Sequence, residues 1–373
     1  MTARRLWQHL GRVGFVVLVA GLAAGASGWV AEARGGRFVG FRDFSGFKQT
    51  KGARPGETVL ESPETATSLR WGELVVSWNA DTPDAAYLRI EARALYPTHV
   101  TKYYTLGLWS SNTNHYPREC VLHQRDADGD VLTDTLILTQ ACDRVQVRLT
   151  LGGDGGQKPK LKFLGLCLTD SKCAPAVLPP NRAAWGKTIA VPELSQMAYP
   201  TGKVLCSPTA VAMIMAYWSQ TLGRPELNRE VPDVAAAVYD AKWKGTGNWP
   251  FNTAYAGSFA GMRAYVVRLS DLSEVEDWIA SGVPVTLSVS SDRLHRRGPG
   301  PNGHLVVCVG FTSRGEPVVN DPGSSRDVRR VYPRKDVLDA WSGSRNAAYL
   351  IYPETWQIPR DRFGHWDSPG AGP

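Results

Sequence analysis

Short apolar runs of strand length recur through the first half of the chain, at 74–78, 87–94, 103–109, 131–138, 145–151 and 161–168. β-Branched and aromatic residues dominate these runs, turn residues separate them, and no helical period interrupts them. They predict an all-β domain over residues 37–175, a sandwich of the jelly-roll kind, with a barrel as the alternative closure. The proline- and alanine-rich stretch 176–185 has no period and reads as a linker. From 186 to 355 the pattern turns mixed, which predicts an α+β domain. Residues 210–218 are apolar on every side, the mark of a helix buried through the middle of a domain. A break at Gly223 and Pro225 precedes a helical segment at 233–241. Ser273-Glu274-Val275-Glu276 forms a capping box ahead of Trp278 and Ile279, and Gly282 closes that helix. Strands are predicted at 284–289, 305–311 and 317–320. Residues 356–373 show little periodicity and read as a loosely ordered tail.

At 373 residues the chain has room for two domains, each with its own core. With 43% hydrophobic residues and mixed charges it is globular rather than disordered. Arg4, Arg5 and Arg12 precede an uncharged run over 13–30, and Ala31-Glu32-Ala33 offers the small residues of a cleavage site. This predicts a signal peptide over 1–33 and a secreted or cell-envelope protein, a single membrane anchor being the alternative. Removing that segment takes away three Arg and one Glu, so the formal charge falls from +7 to +5. A modest positive charge suits an anionic cell envelope or a solvated basic surface, and no nucleic-acid-binding signature accompanies it. Of six cysteines, Cys120, Cys142, Cys167 and Cys173 lie in the first half. In an exported chain the simplest reading pairs Cys120 with Cys142 and Cys167 with Cys173, leaving Cys206 free.

Asp126-Ala127-Asp128-Gly129-Asp130 looks like the start of a calcium loop, but Ile137 stands where an EF-hand needs an acid. Asp-Gly between two β runs is a hairpin turn, and no metal is expected. Trp109, Tyr103 and Tyr104 are candidates either for a glycan-binding face or for the sandwich core.

The chemistry gathers in the second half. Cys206 stands where Leu205-Cys206-Ser207-Pro208-Thr209 runs into the buried helix, with Ser207 as candidate cap and Pro208 in the first turn. The positive end of the helix dipole and unpartnered N–H groups there favour thiolate over thiol. Asn302-Gly303-His304 opens the strand 305–311, and Asn320-Asp321-Pro322 closes the next β run. Two neighbouring strands would bring His304 and Asp321 to one edge of a sheet, where His304 can accept the proton of Cys206 and Asp321 can orient the ring. Asn320 competes with Asp321 for that role. His99, His115, His123, His295 and His365 have no comparable setting.

Gln196, the Leu205–Thr209 stretch before a buried helix, Gly303-His304 opening a strand and Asn320-Asp321-Pro322 together resemble the C39-like branch of the papain-like cysteine peptidases, over residues 186–355. The segment 248–252 resembles one in bacterial members, and the first half resembles the β module that often precedes this domain. The resemblance implies a papain-like fold with Cys206 as nucleophile, His304 as general base and acid, Asp321 as orienting carboxylate and Gln196 as an oxyanion-hole donor beside the N–H of Cys206. It implies no cofactor, and a peptide or protein substrate cleaved through an acyl-thioester. Acyl transfer or deamidation by the same trio is the alternative chemistry, and a silent wall- or glycan-binding protein is the alternative class. The chain carries no nucleotide-binding loop, so the leader-peptide processing of transporter-fused relatives is not expected. Arg293, Arg296 and Arg297, shortly before His304, are candidates for drawing in acidic substrates.

Overall fold

The computed structural model describes residues 35–170, 172, 173, 178–300 and 302–368. The expected signal segment 1–33 lies outside the described residues.

Nine strands build the N-terminal domain: β1 (Gly36–Phe41), β2 (Lys48–Lys51), β3 (Thr58–Glu61), β4 (Thr65–Asp81), β5 (Ala86–Ala94), β6 (Tyr104–Trp109), β7 (Gly129–Leu132), β8 (Thr135–Gly153) and β9 (Lys160–Thr169). The first part of β8 pairs with β7 and β4, and the last part pairs with β5 and β3. This single strand of 19 residues therefore belongs to both layers. Register breaks around Trp71 in β4 bend the ladder in the same region. The expected sandwich takes the form of one continuous hydrogen-bonded network folded over itself, with Trp78 of β4 6.0 Å from Trp109 of β6 across the interior. The apolar run 131–138 is not one strand. Thr133 takes a left-handed φ of 59° and the N–H of Asp134 turns back to Leu132, so the chain reverses between β7 and β8.

One expectation for this domain is corrected, the pairing of its cysteines. Cys120, Cys142 and Cys167 are separate buried thiols, so neither disulfide forms. The N–H of Cys120 is held by Asp240, the thiol of Cys142 turns to the carbonyl of Leu95, and Cys167 sits in mid-strand between Phe38 and Val75. The ring faces considered for glycan contact are spent inside: Trp109 and Tyr104 are buried, and Tyr103 lies between the guanidinium groups of Arg93 and Arg148. The carboxylate of Asp126 serves the turn, accepting from Tyr104 and from the N–H groups of Asp128 and Gly129 while pairing with Lys102.

The second domain wraps helices around a six-stranded antiparallel sheet of order β10-β15-β11-β12-β13-β14. Its elements are α1 (Cys206–Leu222), α2 (Val231–Val238), α3 (Trp249–Ser258), β10 (Met262–Arg268), α4 (Leu272–Ala280), β11 (Val285–Ser290), α5 (Ser291–Leu294), β12 (Gly303–Phe311), β13 (Pro317–Asn320), β14 (Arg329–Val331), α6 (Arg334–Ser342) and β15 (Ala347–Pro353). α1 is buried nearly throughout, as its all-round apolar sequence requires, and Trp218 donates its indole N–H to the carbonyl of Ile351 in β15. The cap of α4 is Asp271 rather than Ser273, because its carboxylate accepts the N–H of Ser273 at 2.8 Å. Glu276 looks away from the cap: its carboxylate takes the N–H of Asn181, the indole of Trp185 and Arg334. Residues 178–185 are thus packed onto α4 and do not behave as a free linker. The tail also folds back, with Trp366 buried against Trp278 and Asp367 paired with Arg42 at 2.8 Å.

The two expected cores are one. A single cluster of buried apolar residues runs from Phe38 to Trp366. β10 is an edge strand, and its outward backbone groups would be left unpaired where it abuts the N-terminal domain. Side chains of β4 satisfy them: Asn79 donates to the carbonyl of Ala264 at 2.7 Å and accepts its N–H at 3.1 Å, and Ser77 accepts the N–H of Val266 at 2.9 Å. α3 presses into the same seam. Phe251 packs edge-on against Trp78 and at a steep tilt against Trp109, and a Cβ on Gly257 would lie 2.0 Å from the amide nitrogen of Asn79. Gly257→Ala would gain up to about 1 kcal/mol in helix propensity. It would also displace a buried amide that both domains share, at about 1–3 kcal/mol for overpacking and more for the hydrogen bonds lost. The expected net result is a melting temperature lowered by several degrees in thermal denaturation, and an unchanged value would refute the seam as described.

Candidate active site

Cys206 is the first residue of α1, half-buried, with an N–H that no intrahelical carbonyl can reach. The turn before it is tight. A Cβ on Gly202 would come within 2.2 Å of the Gln196 carbonyl oxygen, so only glycine lets the loop fold back on itself there. That fold buries Gln196 to 4% exposure, where its amide donates to the carbonyl of Gly202 at 2.7 Å and its N–H donates to Pro322 at 2.9 Å. The ten-residue separation between Gln196 and Cys206 is thereby closed, and both side chains line one cavity. Ser207 does not cap the helix, because its hydroxyl is engaged with that of Tyr349 at 3.0 Å.

His304 is the second residue of β12. Antiparallel pairing of β12 with β13, Val307 opposite Asn320, carries Asp321 alongside it. Nε2 of His304 meets Oδ1 of Asp321 at 2.7 Å, which leaves Nδ1 for the thiol of Cys206, with which the ring shares a hydrogen bond. Asp321 is 1% exposed and receives two more donors, the N–H of Gly323 at 2.9 Å and the hydroxyl of Tyr332 at 2.7 Å. Strand alternation turns Asn320 to the other face, where its amide donates to the carbonyls of Val191 and Pro192 and accepts from Arg329. Of the two neighbours, Asp321 is the one that touches the imidazole.

Two groups escaped the sequence reading. His295, which the sequence left without a setting, places Nε2 3.3 Å from Oδ2 of Asp321 while its Nδ1 donates to the carbonyl of Ser291 at 2.8 Å. Tyr332, just past β14, completes the same carboxylate. Neither has a motif around it: His295 follows a four-residue helix and Tyr332 a three-residue strand, and pairing across the sheet alone brings them in.

Proton placement follows from these contacts. Burial pushes the Cys206 thiol up, but the imidazole of His304 and the N–H groups of Leu305 and Ser207 outweigh it, and the net shift is below the ordinary 9.0. Burial pulls His304 down, but Asp321 and Cys206 together raise it to about 10. Asp321, which burial alone would raise, is held well below the carboxylate range by His304, Tyr332 and Gly323. The imidazole thus outcompetes the sulfur for the proton, which defines a thiolate–imidazolium pair anchored by a carboxylate.

Two cavities meet at Lys203, Cys206 and Gly303. One, of about 800 Å³, holds Gln196, His304, Asp321 and His295. The other, of about 1120 Å³, opens between the domains, with Glu73 and residues 132–135 of the β domain on one side and Trp243 and Trp249 on the other. Of the three arginines before His304, Arg296 pairs with Asp336 at 2.6 Å and Arg293 with Asp339 at 3.6 Å, so Arg297 alone is left facing the smaller cavity without an ion pair among the described residues.

A mixed α/β domain with a cysteine heading its buried helix and a histidine on the facing sheet defines the class of papain-like cysteine peptidases. Residues 188–349 match the peptidase C39-like family and residues 48–169 the peptidase C39 N-terminal domain, so the second domain is a C39-like peptidase domain and the first the β module that precedes it. Among solved structures, a Bacillus anthracis protein described as a C39-like peptidase is 17% identical, covering 44% of this chain and 98% of its own length with a TM-score of 0.34. A Vibrio parahaemolyticus protein covers 87% of this chain and 90% of its own length, at 10% identity and a TM-score of 0.16. No curated protein matches the chain.

Proposed function

We propose that the protein is an exported cysteine peptidase that hydrolyses peptide bonds through Cys206, His304 and Asp321. The observation that carries this reading is the unbroken chain of contacts from thiol to imidazole to buried carboxylate, with the proton resting on the imidazole. The thiolate of Cys206 attacks the carbonyl carbon of the scissile amide. The oxygen that becomes negative finds the N–H of Cys206 and the side-chain amide of Gln196, whose second hydrogen is not used by Gly202. The imidazolium of His304 gives its proton to the leaving amine, and the C–N bond breaks to leave an acyl-thioester. Water then attacks the thioester as neutral His304 takes its proton, releasing the carboxylic acid and restoring the pair. His295 and Tyr332 hold Asp321 so that it can hold the ring. Arg4, Arg5 and Arg12 ahead of an apolar run support export.

The test is the pH dependence of Cys206 alkylation by iodoacetamide, followed by intact mass. Labelling is expected to persist at about pH 6, well below the free-cysteine value of about 8.5. Labelling no faster than in the denatured chain would leave the silent binding protein as the better reading. Peptide cleavage with and without an added amine acceptor then separates hydrolysis from acyl transfer.

A further inference from the structure

Single exposed apolar side chains are ordinary, but several gathered along one cleft mark a binding surface. Seven stand exposed among the described residues, and four of them, Met197, Val204, Trp243 and Leu132, lie along the two cavities that meet at Cys206. The charges there are unbalanced in one direction. Every acid in the walls is engaged: Glu73 by Arg268 and Arg345, Asp134 by the N–H of Trp249, Asp292 by Asn302, and Asp321 as described. Lys203, Lys244 and Arg297 line the same walls and have no ion pair among the described residues.

The β domain builds part of this groove and holds another part in place. Leu132 and Thr133 form the tip of its β7–β8 turn, and Thr133 accepts a left-handed φ of 59° that a β-branched residue adopts only under constraint. Opposite them the loop bearing Trp243 is fixed from the same domain. Arg118 donates to the carbonyls of Tyr239 and Ala236, and the N–H of Cys120 donates to Asp240. The Asp240 carboxylate in turn collects the N–H groups of Lys242 and Trp243. The indole of Trp243 lies over Gly245 and Gly247, where a Cβ would come within 2.7 and 3.1 Å of the ring. It is an aromatic platform held in position before any ligand arrives.

We propose that this groove receives an extended polypeptide whose acidic side chains flank an aliphatic or aromatic one, and that the β domain supplies the wall that selects it. The apolar side chain rests on Trp243 and Leu132, and the carboxylates meet Lys203, Lys244 and Arg297. This rests on the reading of Cys206 as the nucleophile, which places the reacting carbonyl where the two cavities join.

The test uses the full chain and two short peptides, one with glutamates and one with lysines on either side of a central leucine. Each is made with a C-terminal chloromethyl ketone and, separately, with an N-terminal chloroacetyl group, so that either half of the groove can be filled. The rate of Cys206 alkylation is read by intact mass. The acidic probe is expected to react about tenfold or more faster than the lysine probe in at least one of the two formats, the difference one well-seated contact makes. Lys244→Glu, an exposed change that spares the core, is expected to narrow that preference several-fold, and Trp243→Ala to slow both probes. Iodoacetamide, too small to reach the walls, reads the thiolate separately in every variant. Equal rates for the acidic and lysine probes in the wild type, or a preference untouched by both substitutions, would overturn the groove while leaving the nucleophile standing. Should iodoacetamide find no activated thiol, the nucleophile fails and the groove falls with it.

Discussion

Removal of the imidazole in His304→Ala is expected to lower kcat/KM for peptide cleavage by on the order of 10⁴-fold or more, as loss of a general base within a nucleophile pair does elsewhere. The reason is specific to this pair. The Cys206 sulfur is buried enough that desolvation alone would raise its pKa, and the imidazole is the largest of the influences that reverse it. Without that ring the helix N-terminus and two backbone N–H groups remain, and they act against burial unaided. Alkylation of Cys206 in His304→Ala should therefore lose its acid-side reactivity and climb only towards the ordinary thiol range. In the wild type the pair exists between two limits. Below the depressed thiol value the sulfur gains a proton and attack stops. As pH rises through about 10 the imidazole loses the proton that the leaving amine needs, and cleavage falls although the thiolate persists. Cleavage should follow a bell with its alkaline limb near that value, whereas alkylation should rise to a plateau and stay there. His304→Ala retaining a tenth of wild-type activity, or an alkylation profile unmoved by the substitution, would break the assignment.

Asp321→Ala carries the second large effect, and it strikes both stability and rate. The carboxylate is buried beneath His304, Tyr332, Gly323 and His295. Truncation leaves the buried phenol of Tyr332 and the imidazole of His304 without their acceptor, at roughly 3–5 kcal/mol by the cost of breaking a buried charged network. Activity should fall by about 10³- to 10⁴-fold, because the ring loses both its orientation and its partner charge. Asp321→Asn separates the two consequences. The amide keeps the volume and one acceptor, so most of the folding stability should survive, while the negative charge that raises His304 disappears. The expected result is a nearly normal melting temperature with an alkylation limb displaced to higher pH. If Asp321→Asn cleaves at the wild-type rate, the carboxylate does no more than fill space.

How much of this was readable from the chain depended on whether the information was local. The helix behind Cys206 announced itself through apolar residues on every side and Pro208 in its first turn. The strand behind His304 showed a β-branched run opened by Gly303, and Asp321 sat at a proline-glycine turn. These are short-range patterns with short-range causes, and so is the sandwich signal of alternating runs and turns. Where local patterns were ambiguous they misled. Ser273 looked like a cap until Asp271 took its N–H, and Ser207 until Tyr349 engaged its hydroxyl. The spacing of Cys120 and Cys142 suggested a bridge, but the two are separate buried thiols, the backbone of Cys120 held by Asp240 and the thiol of Cys142 turned to Leu95.

Sequence by itself determined the class of each half, the helix behind Cys206 and the strands around His304 and Asp321, since helix periods, strand runs and turn residues act over a few neighbours. Tertiary structure alone decided what meets what. It turned Asp321 rather than Asn320 to the imidazole, drew His295 and Tyr332 onto the same carboxylate, fused two expected cores into one and made the β domain a wall of the cleft. Each of those outcomes depends on the pairing of strands and the docking of surfaces far apart in the chain, where the energy lies in contacts that no local pattern encodes.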